Sequence, residues 1–326
     1  MQHWKTWLAA CAAAMQWAAA PAAAAAADYP TKPVRMIVPF VAGGAADMLA
    51  RPLAQELGEK LGQPVVVENR AGANSTIGVQ YVARSPNDGY TILFGSDAGL
   101  SLAPNTQPDL GYSVKDFVPL AILAYMTQVM VVNGSSPINS VQDLAREVRA
   151  RPGQLPYASI GVGSLSHVSM EALAGRFGAP MIHVPYQGVA PALADLLGGR
   201  VQIMLSAVAA PLPHIKAGRL KAIAFAGTER SASLPEVPTL AEQGIPDFVS
   251  RGWFGVMVPA GTPAPIVAKL QAAIADIAGR KSFQDGVVRA NGYDVPRLAP
   301  AELAGFLATE NAKSKALVDP IRDQLK

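Results

Sequence analysis

Two glycine-rich stretches carry the residues best placed to do chemistry in this chain. In "VPFVAGGAAD" an apolar run meets Gly43 and Gly44 and passes at once into a helical pattern of Met48, Leu49, Pro52, Leu53 and Leu57. A strand feeding a glycine loop and a helix start leaves backbone N–H groups converging on one point, with the positive end of the helix dipole behind them. That arrangement suits an anion, although a tight strand-to-helix turn that binds nothing is the plainer reading of the same glycines. "ASIGVGSLSH" repeats the layout: an apolar strand ends at Ser159, Gly161 and Gly163 form the loop, and Ser164 or Ser166 caps the following helix. If the two loops faced each other across a cleft, they would grip the two ends of one small anionic molecule.

Other chemistries fit these residues less well. "AGGAAD" lacks the G-x-G-x-x-G spacing of dinucleotide sites and no Gly-Lys-Ser/Thr follows it, so phosphate binding has no fingerprint. Serine catalysis needs a nucleophile, a base and an orienting acid. Ser164 and His167 offer two of the three, but Ser166 stands where a nucleophile elbow would have glycine. His167 and Glu171 share a helix face, yet "HVSME" has no second histidine, and His183 and His214 lie apart in sequence; no metal site and no cofactor are expected. Most acids lie on helix faces and read as solvated surface. Asp47 and Asp97 differ because they stand beside strand ends, where open α/β sheets place ligands.

The 326 residues are half hydrophobic, enough for two domains with sizeable cores. A net charge of +3, from 27 Lys+Arg against 24 Asp+Glu without long runs, gives no footprint for nucleic acid or an anionic membrane surface. Residues 1–27 hold Lys5, then an apolar, alanine-rich stretch ending in small residues, the pattern of a cleaved secretory signal peptide, so the mature protein is expected to be exported. Cys11 in "LAAC" mimics a lipoprotein site but has too few apolar residues ahead of it. Cleavage after Ala26 or Ala27 would leave a mature chain with no cysteine.

From Val34 onward short apolar runs alternate with helical patterns, the signature of an α/β protein with mainly parallel sheets. Strands are expected at 34–40, 64–68, 91–95, 128–132, 155–159, 181–185, 201–206 and 220–226, with helices at 46–61, 140–150, 166–177 and 191–197. After "RGWFGVMVPAGTP" the pattern becomes mostly helical, over 265–278, 282–291 and 300–318.

From about Tyr29 to its end the chain resembles the receptors of tripartite tricarboxylate transporters, the Bug family of periplasmic solute-binding proteins. The resemblance rests on blocks in order: "YPTKPVRMIVPFVAGGAAD", "LGQPVVVENRAGANSTIG", "DGYTILFGS", "YASIGVGSLSH", "HVPYQGVAPALADLLGGRVQ", "PHIKAGRLKAIAFAG", "RSASLPEVPTLAEQG" and "GWFGVMVPAGTP". It implies a fold like that of type II periplasmic binding proteins: two α/β domains with a ligand cleft, a Venus flytrap. It also implies a discontinuous first domain of 28–126 plus 252–326 and a second of 127–251, with crossings near 124–128 and 249–253. The implied role is that of a monomeric receptor, not an enzyme, which captures a small carboxylate and delivers it to the permease subunits. A dicarboxylate, an aromatic acid and an amino acid are the ligand classes in view. A sensor presenting its liganded form to a membrane signalling protein shares the same fold, and an exported hydrolase using Ser164 and His167 is the remaining alternative.

Carried onto this sequence, the expected ligand contacts are the backbone of Val41, Ala42, Gly43, Gly44 and Ala45 with Asp47, and the backbone of Gly161, Gly163 and Ser164 with Ser159. Phe40, Ser96, Asp97, His167, Tyr186 and Ser206 would shape the walls, although Phe40 and Tyr186 read equally well as core aromatics. The chain departs from the family pattern at Ala45 and Ala46, where a hydroxyl is common, and at Ser206, where many relatives carry an aspartate able to hold an ammonium. The first loop should therefore grip by backbone amides almost alone, and a β-branched residue at Gly44 should abolish binding while sparing the fold.

Overall fold

The computed structural model describes residues 28–107 and 109–325, so the segment 1–27 lies outside the described residues. In chain order the strands are β1 Val34–Val38, β2 Val65–Asn69, β3 Thr91–Ser96, β4 Phe117–Asn133, β5 Pro156–Ser159, β6 Ile182–Pro185, β7 Ile203–Ala207, β8 Leu220–Phe225 and β9 Arg251–Pro259. The helices are α1 Ala45–Leu61, α2 Thr76–Ala83, α3 Ala103–Thr106, α4 Val141–Ala150, α5 Leu165–Phe177, α6 Val189–Leu197, α7 Leu212–Lys216, α8 Ala264–Gly279, α9 Lys281–Phe283 and α10 Pro300–Val318.

Local sequence explains the elements that carry the site. The strand β1 is buried on both faces apart from Arg35, as a central parallel strand must be. Helix α1 buries Ala46, Leu49, Ala50, Leu53, Ala54 and Leu57 at helical spacing. It stops at Gly62, whose left-handed backbone returns an N–H to the Gly58 carbonyl. Helix α5 starts on Ser164, whose hydroxyl accepts from the His167 N–H, and ends on left-handed Gly178.

All strands join in the order β2-β1-β3-β9-β4-β7-β5-β6, with β8 on the other side of β4. Two wings share β4, a 17-residue strand. Its first part, from Phe117 to Thr127, pairs antiparallel with β9; its second part, from Gln128, pairs with β7 and β8. The partner changes between Thr127 and Gln128. There Gln128 N–H donates to the Ser250 carbonyl at 3.0 Å, and the Ser250 hydroxyl bridges Gln128 Oε1 at 2.6 Å and Ser169 Oγ at 2.7 Å. The sequence pattern marked only the second part of β4 and did not mark β9 as a strand. An apolar run buried on both faces shows no period of its own, and the partners of β4 here lie more than a hundred residues away in the chain.

Each wing is a sheet with helices on both faces. In the first, Met36, Leu49, Phe94, Phe254 and Ile274 form one core, and Ile37, Val79, Leu93, Trp253 and Phe306 form the other. In the second, Met130, Tyr157, Met170 and Leu205 lie on one face, with Val129, Ala158, Leu196 and Met204 on the other. The last helix, α10, belongs to both wings. Phe306 and Leu307 pack beside Trp253, while Val318, with Ile321 beyond the helix end, packs against Val168 of α5 and Leu102.

Candidate functional site

Strand register fixes where the two glycine loops lie. Ser96, at the carboxyl end of β3, pairs with Phe254, which pairs with Ala124 of β4; β1 runs parallel to β3, so its carboxyl end points the same way. In the second wing Ala207, at the carboxyl end of β7, pairs with Gln128, and β5 and β6 run parallel to β7. The carboxyl ends of β1 and β3 and those of β5, β6 and β7 therefore meet at the point where β4 changes partners. This is the position at which α/β sheets bind ligands. Gly163 lies there against the first wing: a Cβ built on it would sit 3.8 Å from Thr106 Oγ1.

The first loop is held from inside. Asp47 is buried, its Oδ2 accepting from Gly43 N–H at 2.8 Å and Arg51 Nε at 2.7 Å, its Oδ1 from Asn69 Nδ2 at 2.9 Å. Asn69 also donates to the Phe40 carbonyl at 3.1 Å. Burial alone would raise the Asp47 carboxyl, but these hydrogen bonds and the Arg51 charge outweigh it and hold the group below the usual range. Gly44 stands at the helix start without any side-chain cap, so among the described residues the first-turn N–H groups of Ala45 and Ala46 have no internal partner. Phe40 meets Phe254 edge-on at 6.0 Å. The backbone constraint falls on Gly43, with φ +74°; Gly44 is extended, and a Cβ there would meet the Val41 carbonyl at 3.2 Å. A β-branched residue is therefore strained more at Gly43 than at Gly44.

The second loop is closed on itself more fully than the sequence suggested. Gly161 N–H donates to Ser159 Oγ, Gly163 N–H to His167 Nδ1 at 3.0 Å and Ser164 N–H to the Gly161 carbonyl. Among the described residues the N–H groups of Val162, Leu165 and Ser166 are left without an internal partner. Ser164 Oγ donates to the Gly161 carbonyl at 2.6 Å, and the His167 ring nitrogen Nδ1 is already taken by Gly163, so the pair is arranged as a helix cap. Below the loop three rings stack. His167 lies 3.7 Å from His183, and His183 lies 5.1 Å from Tyr157. The Ser159 hydroxyl is 2.6 Å from His183 Nε2. Sequence reasoning missed His183, which comes from the neighbouring strand, and missed Asn69, whose only signal is its place at the end of an apolar strand.

The remaining expected wall residues are scattered in their commitments. Asp97 is buried and accepts from Trp253 N–H at 3.2 Å. Burial pushes it up to about 6, against the opposing pull of that bond. Ser96 Oγ is buried with no partner among the described residues, and Ser206, beside the crossing on β7, donates to the Ala207 carbonyl at 3.2 Å. Tyr186 donates its hydroxyl to Asp195 Oδ2 at 2.8 Å.

These groups set a pH response with two opposing parts. Burial and then the neighbouring His183 lower His167 from 6.5 to about 4. As pH falls through this window the unfolded chain takes a proton that the folded chain refuses, so stability drops. Asp97, raised from 3.8 to about 6, acts in the opposite sense, because the folded state takes its proton first. Melting curves from pH 7 to pH 4 should therefore fall more steeply in Asp97→Asn than in the parent, and less steeply in His167→Asn. Identical slopes in all three would show that neither group titrates as placed.

Comparison with known proteins decides the family. The sequence profile described as "Tripartite tricarboxylate transporter family receptor" matches residues 49–322. The chain belongs to that family. The receptor is 38% identical to "Protein BugT" of Bordetella pertussis (strain Tohama I) over 300 residues, 91% of this chain and 92% of BugT. Its structure matches that of the R. palustris protein Rpa4515 with adipate, with TM-score 0.77 and 34% identity over 89% of this chain and 97% of the other. It also matches MatC from Rhodopseudomonas palustris with bound malate, with TM-score 0.75 and 33% identity over 89% and 100% of the two chains. The two-domain α/β solute-binding fold read from the sequence is thus the fold of the receptor, and family members are periplasmic solute-binding receptors.

Proposed function

We propose that this receptor captures a small carboxylate between its two domains, 28–126 with 252–326 and 127–251, and delivers it to the membrane subunits of a tripartite tricarboxylate-type transporter. The observation that carries the reading is the meeting of the two strand-end loops at the β4 crossing, one of them opening on the uncapped start of α1. A carboxylate accepts several N–H bonds at such a helix start, each charge-assisted bond contributing roughly 1.5–3 kcal/mol, and no lysine is required. Adipate and malate in the two structural neighbours support the class. The chain works as a monomer after residues 1–27 are removed on export. Its two wings close by hinge motion at Thr127–Gln128 and Ser250–Arg251, and the closed form is what the membrane subunits recognise.

The test is thermal unfolding with a panel of carboxylates. A ligand at a hundredfold excess over Kd should stabilise the receptor by about 2.7 kcal/mol. An unchanged melting temperature with mono-, di- and aromatic carboxylates alike would sink the reading.

A further inference from the structure

We infer that the carboxylate this receptor takes has an apolar body and carries no ammonium group. This rests on the carboxylate-receptor reading and narrows it.

The first observation concerns large hydrophobic side chains left in water. Among the described residues seven are exposed, and two of them, Val66 and Ile182, lie on β2 and β6, the edge strands of the sheet. The other five are Val41, Met48, Ile77, Ile160 and Val162, between 44% and 67% exposed. All five sit on the loops and first helical turns around the β4 crossing. Val41 and Met48 flank the uncapped start of α1. Ile77 is in the first turn of α2, next to the same loop, since a Cβ on Gly78 would lie 2.7 Å from Pro39 Cβ. Ile160 and Val162 come from the facing loop of the second wing. Solitary exposed apolar residues need no explanation, but a group gathered at the mouth of one cleft from both sides marks a surface that something apolar covers. The end of the molecule that meets the free amides must be anionic; the part that lies between Val41, Met48 and Ile77 on one side and Ile160 and Val162 on the other must not be.

The second observation is that the acids at these strand ends are already engaged. An ammonium in a closed cleft needs a carboxylate partner, because an unpaired buried charge is costly. Asp47 is committed to Arg51, Asn69 and the Gly43 N–H, and Asp97 is buried against the Trp253 N–H. Ser206, on β7, supplies no charge. A ligand ammonium would be carried into an apolar mouth where neither Asp47 nor Asp97 is free to meet it.

Isothermal titration of the purified mature protein with adipate, benzoate, malate and glutamate tests this. The better of adipate and benzoate should bind at least about tenfold tighter than malate, and glutamate should bind weakest, since apolar contacts and an unmatched polar group each change affinity by about this factor or more. Val162→Asn, at an exposed loop position where folding is not at stake, should weaken adipate or benzoate about tenfold and malate by a clearly smaller factor. Met48→Gln should act in the same direction. Malate or glutamate binding tighter than adipate and benzoate would overturn the inference while the carboxylate reading stands. Unchanged adipate and benzoate affinities in both variants would also overturn it, and would assign the apolar mouth to contact with another protein. Failure of all four acids to bind would overturn the carboxylate reading itself, and this inference with it.

Discussion

Asp47→Ala is expected to cost about 2–4 kcal/mol of stability and to weaken carboxylate binding by more than tenfold, although the Asp47 carboxylate is engaged within the first loop itself. The reason is the inward hydrogen bonding of the first loop. One buried carboxylate fixes the Gly43 N–H, the Arg51 guanidinium and the Asn69 amide, and Asn69 in turn fixes the Phe40 carbonyl. Removing it takes away the one buried acceptor shared by three part-buried hydrogen bonds to a charged group, each contributing about 1.5–3 kcal/mol before solvent replaces part of it. It also releases the backbone of 40–44 from the geometry that presents the amides of Ala45 and Ala46. Asp47→Asn keeps acceptor capacity but not the charge opposite Arg51, so it should fall between the alanine variant and the parent. Denaturant unfolding and titration with the carboxylate that gives the largest thermal shift measure both effects. Equal affinity in Asp47→Ala and the parent would show that the loop holds its shape without this carboxylate.

Trp253→Ala should be the most destabilising single truncation in the first wing, at about 3–5 kcal/mol. The side chain is fully buried in the central strand β9, edge-on to Phe306 of α10 at 5.1 Å, within a core that includes Ile37, Val79 and Leu93. It stands two residues from the switch in strand pairing, so the cavity would open beneath the crossing. Trp253→Phe should cost much less than its loss of volume suggests. The indole Nε1 is buried with no partner among the described residues, and a phenyl ring removes that unpaired donor. Urea unfolding of the two variants checks this: a phenylalanine variant as unstable as the alanine variant would mean that the indole nitrogen is satisfied in solution.

Much of the architecture was legible because the parallel units announce themselves. An apolar run followed by a glycine and an amphipathic helix appears at β1–α1 and again at β5–α5, and both were read as strand-to-helix starts. The antiparallel centre was not legible. Neither Phe117–Asn133 nor Arg251–Pro259 shows alternation, because both are buried on two faces, and their pairing joins segments that share no local signal. For the candidate site, residue types at strand ends were visible, but the destinations of their hydrogen bonds were not. Nothing in "ASIGVGSLSH" tells that the Gly163 N–H turns back to His167, or that His183, sixteen positions after His167 in the chain, stacks on it. Likewise the commitment of Asp47 to Asn69 spans 22 residues and joins the first turn of α1 to the end of β2.

The way the first wing is assembled also bears on when it can form. Its parallel strands come from residues 34–96, yet the strand beside β3 is β9, at 251–259, and the helix over Trp253 is α10, at 300–318. Until those residues exist, β3 has an open edge and the face around Ile37 and Leu93 has no cover. Contacts over such sequence separations must close large loops before they return any free energy, which slows folding. The amino-terminal third of the chain therefore has to wait, loosely structured, for the carboxyl-terminal quarter, and a chain interrupted before residue 251 would have no finished first wing to hold the Gly43–Gly44 loop in place.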